Sequence, residues 1–314
     1  MPVDAILDTH NRRLGALDPL LPPAAPLPAA EPDDVPIECP GGSGLARLLR
    51  VDLDSFAATW SMAEEHRLVV RVADPDAMAD LLAWWEVTVR DRATGDHDSE
   101  ATLSWPSRDA AMVRVFLAHG MVPQVMIAVR PAGRTVPPEA AVPDVEVRPL
   151  RAGDVDAATR LWLEEVEWDQ QFGGPVSRAS TEPNLRSRLA EAAATDDPWS
   201  WVAERSGRLI GLVVVSPPAA AGWVSPLVAA EPAAYVDNLL VASGHRGSGV
   251  GMAMTRHVQA VLDRSGAEAT LLHYAALKPL SGPFWHRWGY RPVWTGWVRR
   301  PALGDPMPRK RDPG

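Results

Sequence analysis

The segment at residues 245–251, HRGSGVG, combines one arginine with three glycines at alternate positions. Glycine has no Cβ atom, so a glycine-rich backbone can approach a ligand closely. Arg246 adds a positive charge directly before the first glycine. Backbone N–H groups that open a helix lack partners, carry partial positive charge and bind phosphates readily. The segment therefore predicts a phosphate-binding loop.

The elements on either side of this loop would position those N–H groups. The preceding run 235–242, YVDNLLVA, is rich in β-forming residues and predicts a strand. After the loop, apolar residues at positions 250, 254, 258 and 261 repeat at helical spacing and predict a helix over 249–264. A strand, a turn and a helix in this order present the start of the helix to an anion.

Two common nucleotide motifs do not fit the loop. A Walker loop needs a lysine after its last glycine, and no lysine follows here. The dinucleotide fingerprint G-x-G-x-x-G fails as well, because counting from Gly247 or Gly249 puts a methionine at the last position. The spacing that remains is R-x-x-G-x-G, formed by Arg246, Gly249 and Gly251.

This spacing resembles the pyrophosphate loop of the Gcn5-related N-acetyltransferases, the GNAT superfamily. Upstream, VASGHRGSGVG resembles that family's V-x-P-x-x-R-G-x-G-x-G, with Ser243 in place of the proline. Downstream, PFWHRWGYRP is similar to the family's closing F-[YW]-x-x-x-G-[FY]-x-P segment. Strand-like and helix-like runs alternate over 145–300 in an order that suits the same fold, so the resemblance covers roughly half of the chain.

The resemblance implies acetyl-CoA, or a related acyl-CoA, as co-substrate, with its diphosphate on the loop backbone and with no metal. It also implies that the strand 235–242 splays from the strand 268–274, so that the pantetheine arm pairs with backbone groups in the gap. A backbone N–H near Leu240 or Val241 would polarise the thioester carbonyl. The residues expected to bind the co-substrate are Leu239, Leu240, Val241, Arg246, Gly247, Ser248, Gly249, Val250, Gly251, Ser281, Phe284 and Trp285.

Acetyl transfer to an amine requires a group that removes a proton from the ammonium. Asp237 is the best catalytic candidate, since a carboxylate near the acceptor suits this task, and Tyr235 is a weaker one. On a strand, residues two apart share a face, so Tyr235, Asp237 and Leu239 are expected to point together. A structural aspartate and a core tyrosine are the alternatives, and the sequence leaves them open.

Two further candidates follow from the family's layout. His273 ends a strand that would face the cleft and could relay a proton, although a structural histidine is the alternative. The acidic run 164–174, EEVEWDQQFGG, lies where the family's acceptor loop would be. Its carboxylates either attract a cationic amine or form a solvated helix face. They are Glu164, Glu165, Glu167 and Asp169.

The chain departs from the family at the residue that would protonate the leaving thiolate. Many members carry a tyrosine after the phenylalanine of the last helix, and Trp285 stands there instead. An indole N–H is a poor acid. Ser281, Tyr290 or water would have to take over this task, and Ser281 could also hydrogen-bond the sulfur or cap the helix.

Composition sets bounds on the class of protein. The chain has 314 residues, of which 46% are apolar and 23% charged, as in soluble globular proteins. Its net charge of −9 argues against binding to nucleic acid. The single cysteine, Cys39, excludes an intrachain disulfide, and the sequence shows neither a signal peptide nor an apolar run that could span a membrane. We expect a cytoplasmic monomer or homodimer.

An internal repeat divides the chain at offsets of 168, 169 and 170 residues. The matched pairs are EATLSW (100–105) with EATLLH (268–273), VFLAHGMVP (115–123) with FWHRWGYRP (284–292), and VRPA (129–132) with RRPA (299–302). The first copy has no R-x-x-G-x-G. At the corresponding place it carries Asp74 and Asp76, which would repel a diphosphate.

The fold class predicted from these features is α/β with a mixed sheet, built from two tandem copies of the GNAT fold. The predicted parts are a degenerate GNAT-like domain without a pyrophosphate loop at 1–132, a linker at 133–144, the N-acetyltransferase domain at 145–303 and a tail at 304–314. The first copy is expected to pack against the second or to shape the acceptor pocket.

The function predicted from the resemblance is transfer of an acetyl group from acetyl-CoA to a primary amine of a small molecule, by direct attack on the thioester. One alternative is a protein that binds acyl-CoA without catalysis, which Trp285 in the acid position motivates. Another is acetylation of a protein or peptide N-terminus, with which the acidic run is compatible.

Overall fold

The computed structural model describes residues 2–134, 142 and 144–304. Within these residues, eleven strands form one mixed sheet and seven α-helices pack on its faces. The predicted α/β class with a mixed sheet is therefore confirmed. The predicted linker 133–144 and tail 304–314 lie mostly outside the described residues.

The first half of the chain contributes five strands and three helices. They are α1 (Val3–Leu17), β1 (Val35–Cys39), β2 (Gly42–Arg50), β3 (Glu64–Val72), α2 (Pro75–Arg92), β4 (Ser99–Pro106), α3 (Ala110–Ala118) and β5 (Val122–Pro131). A short 3-10 helix, Phe56–Thr59, lies in the connection between β2 and β3. This 3-10 helix reaches the functional site described below.

The second half contributes six strands and four helices. They are β6 (Glu146–Pro149), α4 (Val155–Gln170), α5 (Thr181–Ala193), β7 (Ser200–Arg205), β8 (Arg208–Ser216), β9 (Ala233–Val241), α6 (Val250–Leu262), β10 (Ala269–Ala275), α7 (Ser281–Arg287) and β11 (Arg291–Arg299). The helix predicted over 249–264 is α6, and the predicted strand 235–242 is the second part of β9.

The strand order is β1-β2-β3-β4-β11-β5-β10-β9-β8-β7-β6. Apart from β6, it is symmetric about the pair β11–β5: β3 pairs β4 in parallel as β9 pairs β10, and β4 pairs β11 antiparallel as β10 pairs β5. The segments matched by the sequence repeat fall in corresponding elements of the two halves. The repeat itself stays a prediction.

The last strand of each half lies inside the other half of the sheet. β11 pairs with β4 and β5. β5 in turn pairs with β10, along the whole length of β10. The cores are shared in the same way: Ala128 and Val129 of β5 are buried among residues of the second half, and Trp297 of β11 is buried in the core of the first. The two halves therefore form one continuous structure.

The connections after the two parallel strands β3 and β9 differ in a way that bears on function. After β3, Asp74 caps α2 and accepts a hydrogen bond from the Ala77 N–H at 2.9 Å. After β9, the corresponding helix α6 begins at Gly249, and no side chain caps it. The start of α2 is therefore closed by a carboxylate of the protein, and the start of α6 is not.

No helix among the described residues is long and apolar enough to cross a membrane.

Candidate functional site

A gap opens between β9 and β10. Their parallel ladder covers only Ala233–Val236 of β9 and Ala269–Leu272 of β10. Beyond it, β9 continues to Val241 in contact with β8, and β10 continues to Ala275 in contact with β5. The facing edges of the two strand ends thus present backbone groups outside the ladder. An extended ligand can pair with such groups as an added strand would.

A β-bulge at Asp237 starts this separation. On β8, Val214 pairs with Asn238 and the next residue, Val215, pairs with Val236, so Asp237 is the extra residue. The bulge inverts the alternation of side chains along β9. Tyr235 packs in the cluster of α1, whereas Leu239 packs against the cluster of α6 on the opposite face. The prediction that Tyr235, Asp237 and Leu239 point together is therefore wrong.

Two cavities meet at this gap. The groove, a cavity of about 440 Å³, runs past the start of α6, and the pocket, a cavity of about 530 Å³, lies beside the bulge. Five residues line both cavities. They are Glu165, Leu239, Lys278, Ser281 and Trp285. The geometry suits a reaction in which one substrate enters from each side and the reacting groups meet in the gap.

The groove contains the glycine loop that the sequence singled out. The loop begins with a 3-10 turn, Ser243–His245, and Gly247 and Gly249 have φ angles of 76° and 89°. The first intrahelical bond of α6 runs from the Ala253 N–H to the Gly249 carbonyl. The N–H groups of residues 250–252 precede that bond and lack an intrahelical acceptor. They offer the predicted anion site.

Gly249 is the position where a side chain is least tolerable. Its φ of 89° strains any L-residue, and a Cβ there would approach Val142 Cγ2 to 2.9 Å. Val142 thus lies against the outer side of the loop. At Gly251, by contrast, a Cβ would make ordinary contacts of 3.7 Å with Phe284 and Val241. The glycine requirement of the loop is therefore concentrated at Gly249.

Most of the predicted co-substrate residues line the groove. They are Leu239, Leu240, Val241, Arg246, Gly247, Gly249, Gly251, Ser281, Phe284 and Trp285. Ser248 and Val250 do not line it: the Ser248 hydroxyl donates to the His245 carbonyl at 2.7 Å, and Val250 is buried beneath α6. These two residues can contribute only their backbone.

Arg246 is held by the protein rather than left open to the groove. Its Nε donates to the Val241 carbonyl at 3.2 Å, and its Nη2 donates to Glu165 at 2.9 Å. The guanidinium also lies 4.9 Å from the ring centre of Trp168. The positive charge that Arg246 adds beside the glycines is thus paired with a carboxylate of α4.

The acidic run of α4 divides between two environments. Glu164 and Glu167 are exposed and line neither cavity. Glu165 and Asp169 line the pocket, and Lys278 bridges both, at 2.7 Å from Asp169. Burial and the neighbouring Glu165 raise the pKa of Asp169. Because Lys278 and Arg246 neutralise the pair, this acidic cluster offers no net negative charge to an amine.

Asp237 lies on the pocket wall with both carboxylate oxygens occupied. Arg188 donates to Oδ1 at 3.0 Å and the Ser216 hydroxyl donates to Oδ2 at 2.7 Å. Burial raises the pKa of Asp237 from its ordinary value, and these hydrogen bonds oppose the shift. To accept a proton, Asp237 would have to change one of these contacts.

Tyr235 and His273 form a pair on the pocket wall, with the tyrosine hydroxyl hydrogen-bonded to Nδ1 of the imidazole. The side chain of His273 is exposed to the pocket, and the protein atoms packed around its ring lower its pKa, so its neutral form is favoured near pH 7. Burial and the charge of Asp237 raise the pKa of Tyr235, which keeps its proton. Among the described residues, none hydrogen-bonds to Nε2 of His273. The ring therefore has one nitrogen available to a substrate.

Ser281 and Trp285, the α7 residues considered for the protonation of the thiolate, have different surroundings. Ser281 is the first residue of α7 and lines both cavities. It does not cap the helix, because the N-cap position is Leu280. Trp285 packs edge-on against Phe284 and Tyr290, with ring centres 4.9 and 5.3 Å away.

Tyr290 cannot reach the reacting groups. It is 1% exposed and its hydroxyl accepts a hydrogen bond from Gln259 at 2.7 Å in the core beneath α6. The suggestion that it protonates the thiolate is therefore wrong: its hydroxyl is committed to the core.

The structure adds site residues that sequence reasoning missed. Tyr274 lines the pocket, and its hydroxyl lies 3.2 Å from Nε2 of His286, which is exposed at the surface of α7. Arg188 of α5 and Lys278 supply the cations described above. Trp223 and the first-half residues Phe56 and Trp60 close the far wall. The available sequence signal was the excess of tryptophan, 13 against three tyrosines.

The comparison with known proteins finds a family match over this part of the chain. Residues 162–290 match the sequence model of the acetyltransferase (GNAT) family. The fold is similar to a GCN5-related N-acetyltransferase from Sphaerobacter thermophilus, with 16% identity and a TM-score of 0.53, over 83% of this chain and 78% of that one. No curated protein sequence matches the chain.

A second solved structure, a GCN5-related N-acetyltransferase from Kribbella flavida, aligns over 94% of both chains, with 14% identity and a TM-score of 0.46. The family match spans the gap, the glycine loop and α7. Over residues 162–290, this chain is therefore similar to the acetyltransferase (GNAT) family.

Proposed function

We propose that the protein is an acetyl-CoA-dependent N-acetyltransferase that moves an acetyl group to a primary amine of a small molecule. The observation that carries the proposal is the gap between β9 and β10, where a groove at a helix start meets a second cavity beside the bulge. Acetyl-CoA would enter through the groove and the amine through the pocket. The acetyl carbonyl would then lie between them.

The groove fits acetyl-CoA through backbone groups. The N–H groups at the start of α6 would bind the diphosphate, and the gap would take the pantetheine arm. The Ala242 N–H donates to Ile210 on β8, so alternation directs the Leu239 and Val241 N–H groups to the opposite edge of β9, toward the gap. One of them would stabilise the oxyanion. Of the two donors expected from the sequence, Val241 fits and Leu240 does not.

In the reaction, the ammonium first loses a proton, and the amine nitrogen then attacks the thioester carbon. The tetrahedral intermediate collapses with cleavage of the C–S bond, the nitrogen releases its second proton to give the neutral amide, and the thiolate takes up a proton. Two groups of this chain are placed to accept the first proton, namely Asp237 and His273. The geometry favours His273 through its free Nε2 in the tautomer with hydrogen on Nδ1, whereas both oxygens of Asp237 are engaged.

For the proton transfer to the CoA thiolate, Tyr274 is the best-placed donor in the pocket. Its hydroxyl contacts His286, which is exposed at the surface. Ser281 lines both cavities and would hydrogen-bond the sulfur. Trp285 would serve as a wall. Tyr274 would thus protonate the leaving thiolate, a role for which Trp285 is a poor acid.

The first half of the chain has a supporting role in this proposal. It has no glycine loop, Asp74 closes the start of α2, and its residues at 56, 57, 60 and 61 line the pocket. We therefore keep the division into a first unit that does not bind acetyl-CoA and a second unit that does. The near symmetry of the sheet supports a common origin for the two units.

A second candidate function, binding of acyl-CoA without catalysis, is favoured by Trp285 in the usual acid position. Calorimetric titration with acetyl-CoA, combined with a thiol-release assay over a panel of amines, separates the two. The proposed enzyme binds acetyl-CoA and releases thiol faster when a suitable amine is added. Tight binding with no amine-dependent release on any amine or peptide would instead support the binding protein.

A further inference from the structure

We propose that the acceptor is a primary amine carried on an aromatic body, and that the first half of the chain supplies part of the surface that recognises it. The inference rests on the proposed function, because it assigns the substrate class of the same pocket. It is drawn from the composition of the pocket wall, its charge balance and the way its outer side is held in place.

The pocket wall is dominated by aromatic side chains. The ring centre of Phe56 lies 6.2 Å from the ring centres of both Trp60 and Trp162. Trp223 packs edge-on against Tyr235, with ring centres 4.5 Å apart. Trp60 and Trp223 are 37% and 56% exposed, so part of each ring is accessible to a molecule in the pocket. Rings from several elements thus surround one space, which is the arrangement that binds a flat ring by stacked and edge-on contacts.

The charges around the pocket cancel. Glu165 and Asp169 are neutralised by Lys278 and Arg246, and Asp237 is paired with Arg188. No carboxylate among the described lining residues is left without a cation. A polyamine or an aminosugar with several ammonium groups would have to lose its hydration without finding countercharges, which is costly. A single amine that becomes neutral for attack needs none.

Trp162 is a buried part of the pocket wall. The indole N–H of Trp162, itself 2% exposed, has no hydrogen-bond partner among the described residues. A buried donor of this kind is normally satisfied. Because this nitrogen is covered by protein atoms, Trp162 contributes to the wall through its ring, which packs edge-on against Phe56 with ring centres 6.2 Å apart.

The wall from the first half is fixed rather than loosely attached. Arg178 donates from Nε to the Ala58 carbonyl at 2.7 Å and from Nη2 to the Ser61 carbonyl at 3.0 Å, and it pairs with Asp98 at 2.8 Å. The Thr59 carbonyl accepts from the Val176 N–H at 2.8 Å. Ala58 is 0% exposed. The segment that carries Phe56 and Trp60 is therefore held against the second half.

The test is a comparison of acceptors with the full-length protein. Phenylethylamine and tryptamine represent the proposed class, hexylamine is the apolar amine without a ring, and spermidine and kanamycin are the polycations. With acetyl-CoA saturating, we expect kcat/KM for the aromatic amines to exceed that for spermidine and kanamycin by tenfold or more, at about 1.4 kcal/mol per factor of ten. A preference for either polycation would overturn the assignment and leave the acetyltransferase proposal standing.

Substitutions in the pocket wall test which side chains bind the acceptor. Trp60→Ala and Trp223→Ala are expected to raise the KM for tryptamine about tenfold while leaving the KM for acetyl-CoA unchanged. Trp84→Ala removes a tryptophan that is 60% exposed and lies on α2 away from both cavities, so it is the matched control. Trp60→Phe keeps a ring and is expected to retain most of the affinity. A KM for tryptamine that Trp60→Ala leaves unchanged would refute the role of the first half.

A binding measurement separates this inference from the proposed function. Calorimetric titration of tryptamine into the protein with CoA present needs no turnover. Binding that is weakened by Trp60→Ala supports the assignment even if no amine is acetylated, an outcome that would refute only the enzyme. If the protein acetylates spermidine but does not bind tryptamine, the enzyme stands and the assignment fails.

Discussion

At the scale of single residues, the chemistry of the site depends on which proton acceptor is free in the folded protein. His273 and Asp237 lie on the same wall, and their environments shift the pKa of each toward the neutral form. The imidazole keeps a nitrogen without a described partner, whereas the carboxylate is held by Arg188 and Ser216. This difference makes the two roles separable by mutation and by pH.

Replacing His273 by Gln is expected to lower kcat/KM for the amine by about 10²- to 10⁴-fold, the usual contribution of a general base. In the unmodified protein, kcat/KM should rise with pH through a value below the ordinary histidine pKa of 6.5, because the protein atoms around His273 lower its pKa and only the neutral ring accepts a proton. A pH–rate profile of both proteins checks this.

Asp237→Asn is the companion variant in this experiment. It should reduce the rate through the loss of the Arg188 contact while keeping the acidic limb of the profile. If instead the limb persists in His273→Gln and disappears in Asp237→Asn, the carboxylate is the base and the assignment of His273 is wrong.

Tyr274→Phe tests the proposed donor to the thiolate. The variant should lose about 10- to 100-fold in kcat, at the low end of general-acid contributions, with the KM for acetyl-CoA unchanged because the ring remains. Tyr290→Phe is the matched control: its hydroxyl is bonded to Gln259 in the core, so stability should fall and kcat should not. Steady-state kinetics and a thermal melt of both variants measure these effects. An unchanged kcat in Tyr274→Phe would exclude Tyr274 as the proton donor.

The sequence predicted which reactive residues gather at the site better than it predicted their partners. Asp237, Tyr235, His273 and Ser281 all line the pocket. The neutralising cations could not be foreseen, because Arg188 lies 49 residues from Asp237 and meets it only after α5 packs beside β9. The consequence for charge is large: an acidic run in the sequence becomes a neutral cluster in the fold.

At the scale of elements, the start of α6 carries the co-substrate site. Gly249→Ala should weaken acetyl-CoA binding by tenfold or more, because a φ of 89° costs an L-residue about 1–2 kcal/mol and the new methyl group would meet Val142. Relaxation of that strain would move the N–H groups that bind the diphosphate. Isothermal titration with acetyl-CoA measures the loss.

The control for this variant is Gly207→Ala. Gly207 has a comparable φ of 76° in the turn between β7 and β8, with open space around its Cβ position. It should cost a similar amount of stability and leave acetyl-CoA affinity unchanged. If both variants bind acetyl-CoA as tightly as the parent, the loop is not the diphosphate site.

The helix α1 makes the stability of the protein depend on pH. Its His10 is buried against Val72 of β3, and burial lowers its pKa to about 4. The unfolded chain takes up this proton near pH 6.5, so the free energy of unfolding should fall as pH drops from 6.5 toward 4 and level off below. The histidine accounts for about 3 kcal/mol of that loss.

His10→Gln isolates this contribution. Chemical denaturation from pH 7 to pH 4 should show a smaller decline in the free energy of unfolding for the variant than for the parent, although the variant is less stable at pH 7. Parallel declines in the two proteins would mean that other groups carry the pH dependence.

Elements with regular periodicity were predictable, and irregular pairings were not. The apolar spacing that predicted a helix over 249–264 matches α6 closely, since helical periodicity is encoded locally. The bulge at Asp237 escaped prediction because an extra residue is defined only against the partner strand β8. The correction matters, because the bulge separates the faces on which Tyr235 and Leu239 lie.

At the scale of the whole molecule, the two halves cannot be treated as independent domains. β5 closes the edge of β10, and β11 completes the sheet of the first half. The composition and the repeat in the sequence predicted two units. They did not predict that β5 and β11 each pair with a strand of the other half, because the apolar residues of a strand do not specify which strand lies beside it. The exchange also explains how rings from the first half come to line the pocket of the second.

The exchange leads to a prediction about fragments. A fragment of residues 145–304 should not fold to a state that binds acetyl-CoA, because it loses the strand that covers β10, and β11 loses both neighbours. The full chain should unfold in one cooperative transition, since Ala128, Val129 and Trp297 tie the cores together. Co-expression of residues 2–134 with the fragment should restore binding. A fragment that melts sharply and binds acetyl-CoA with the affinity of the full chain would show instead that the shared sheet is dispensable.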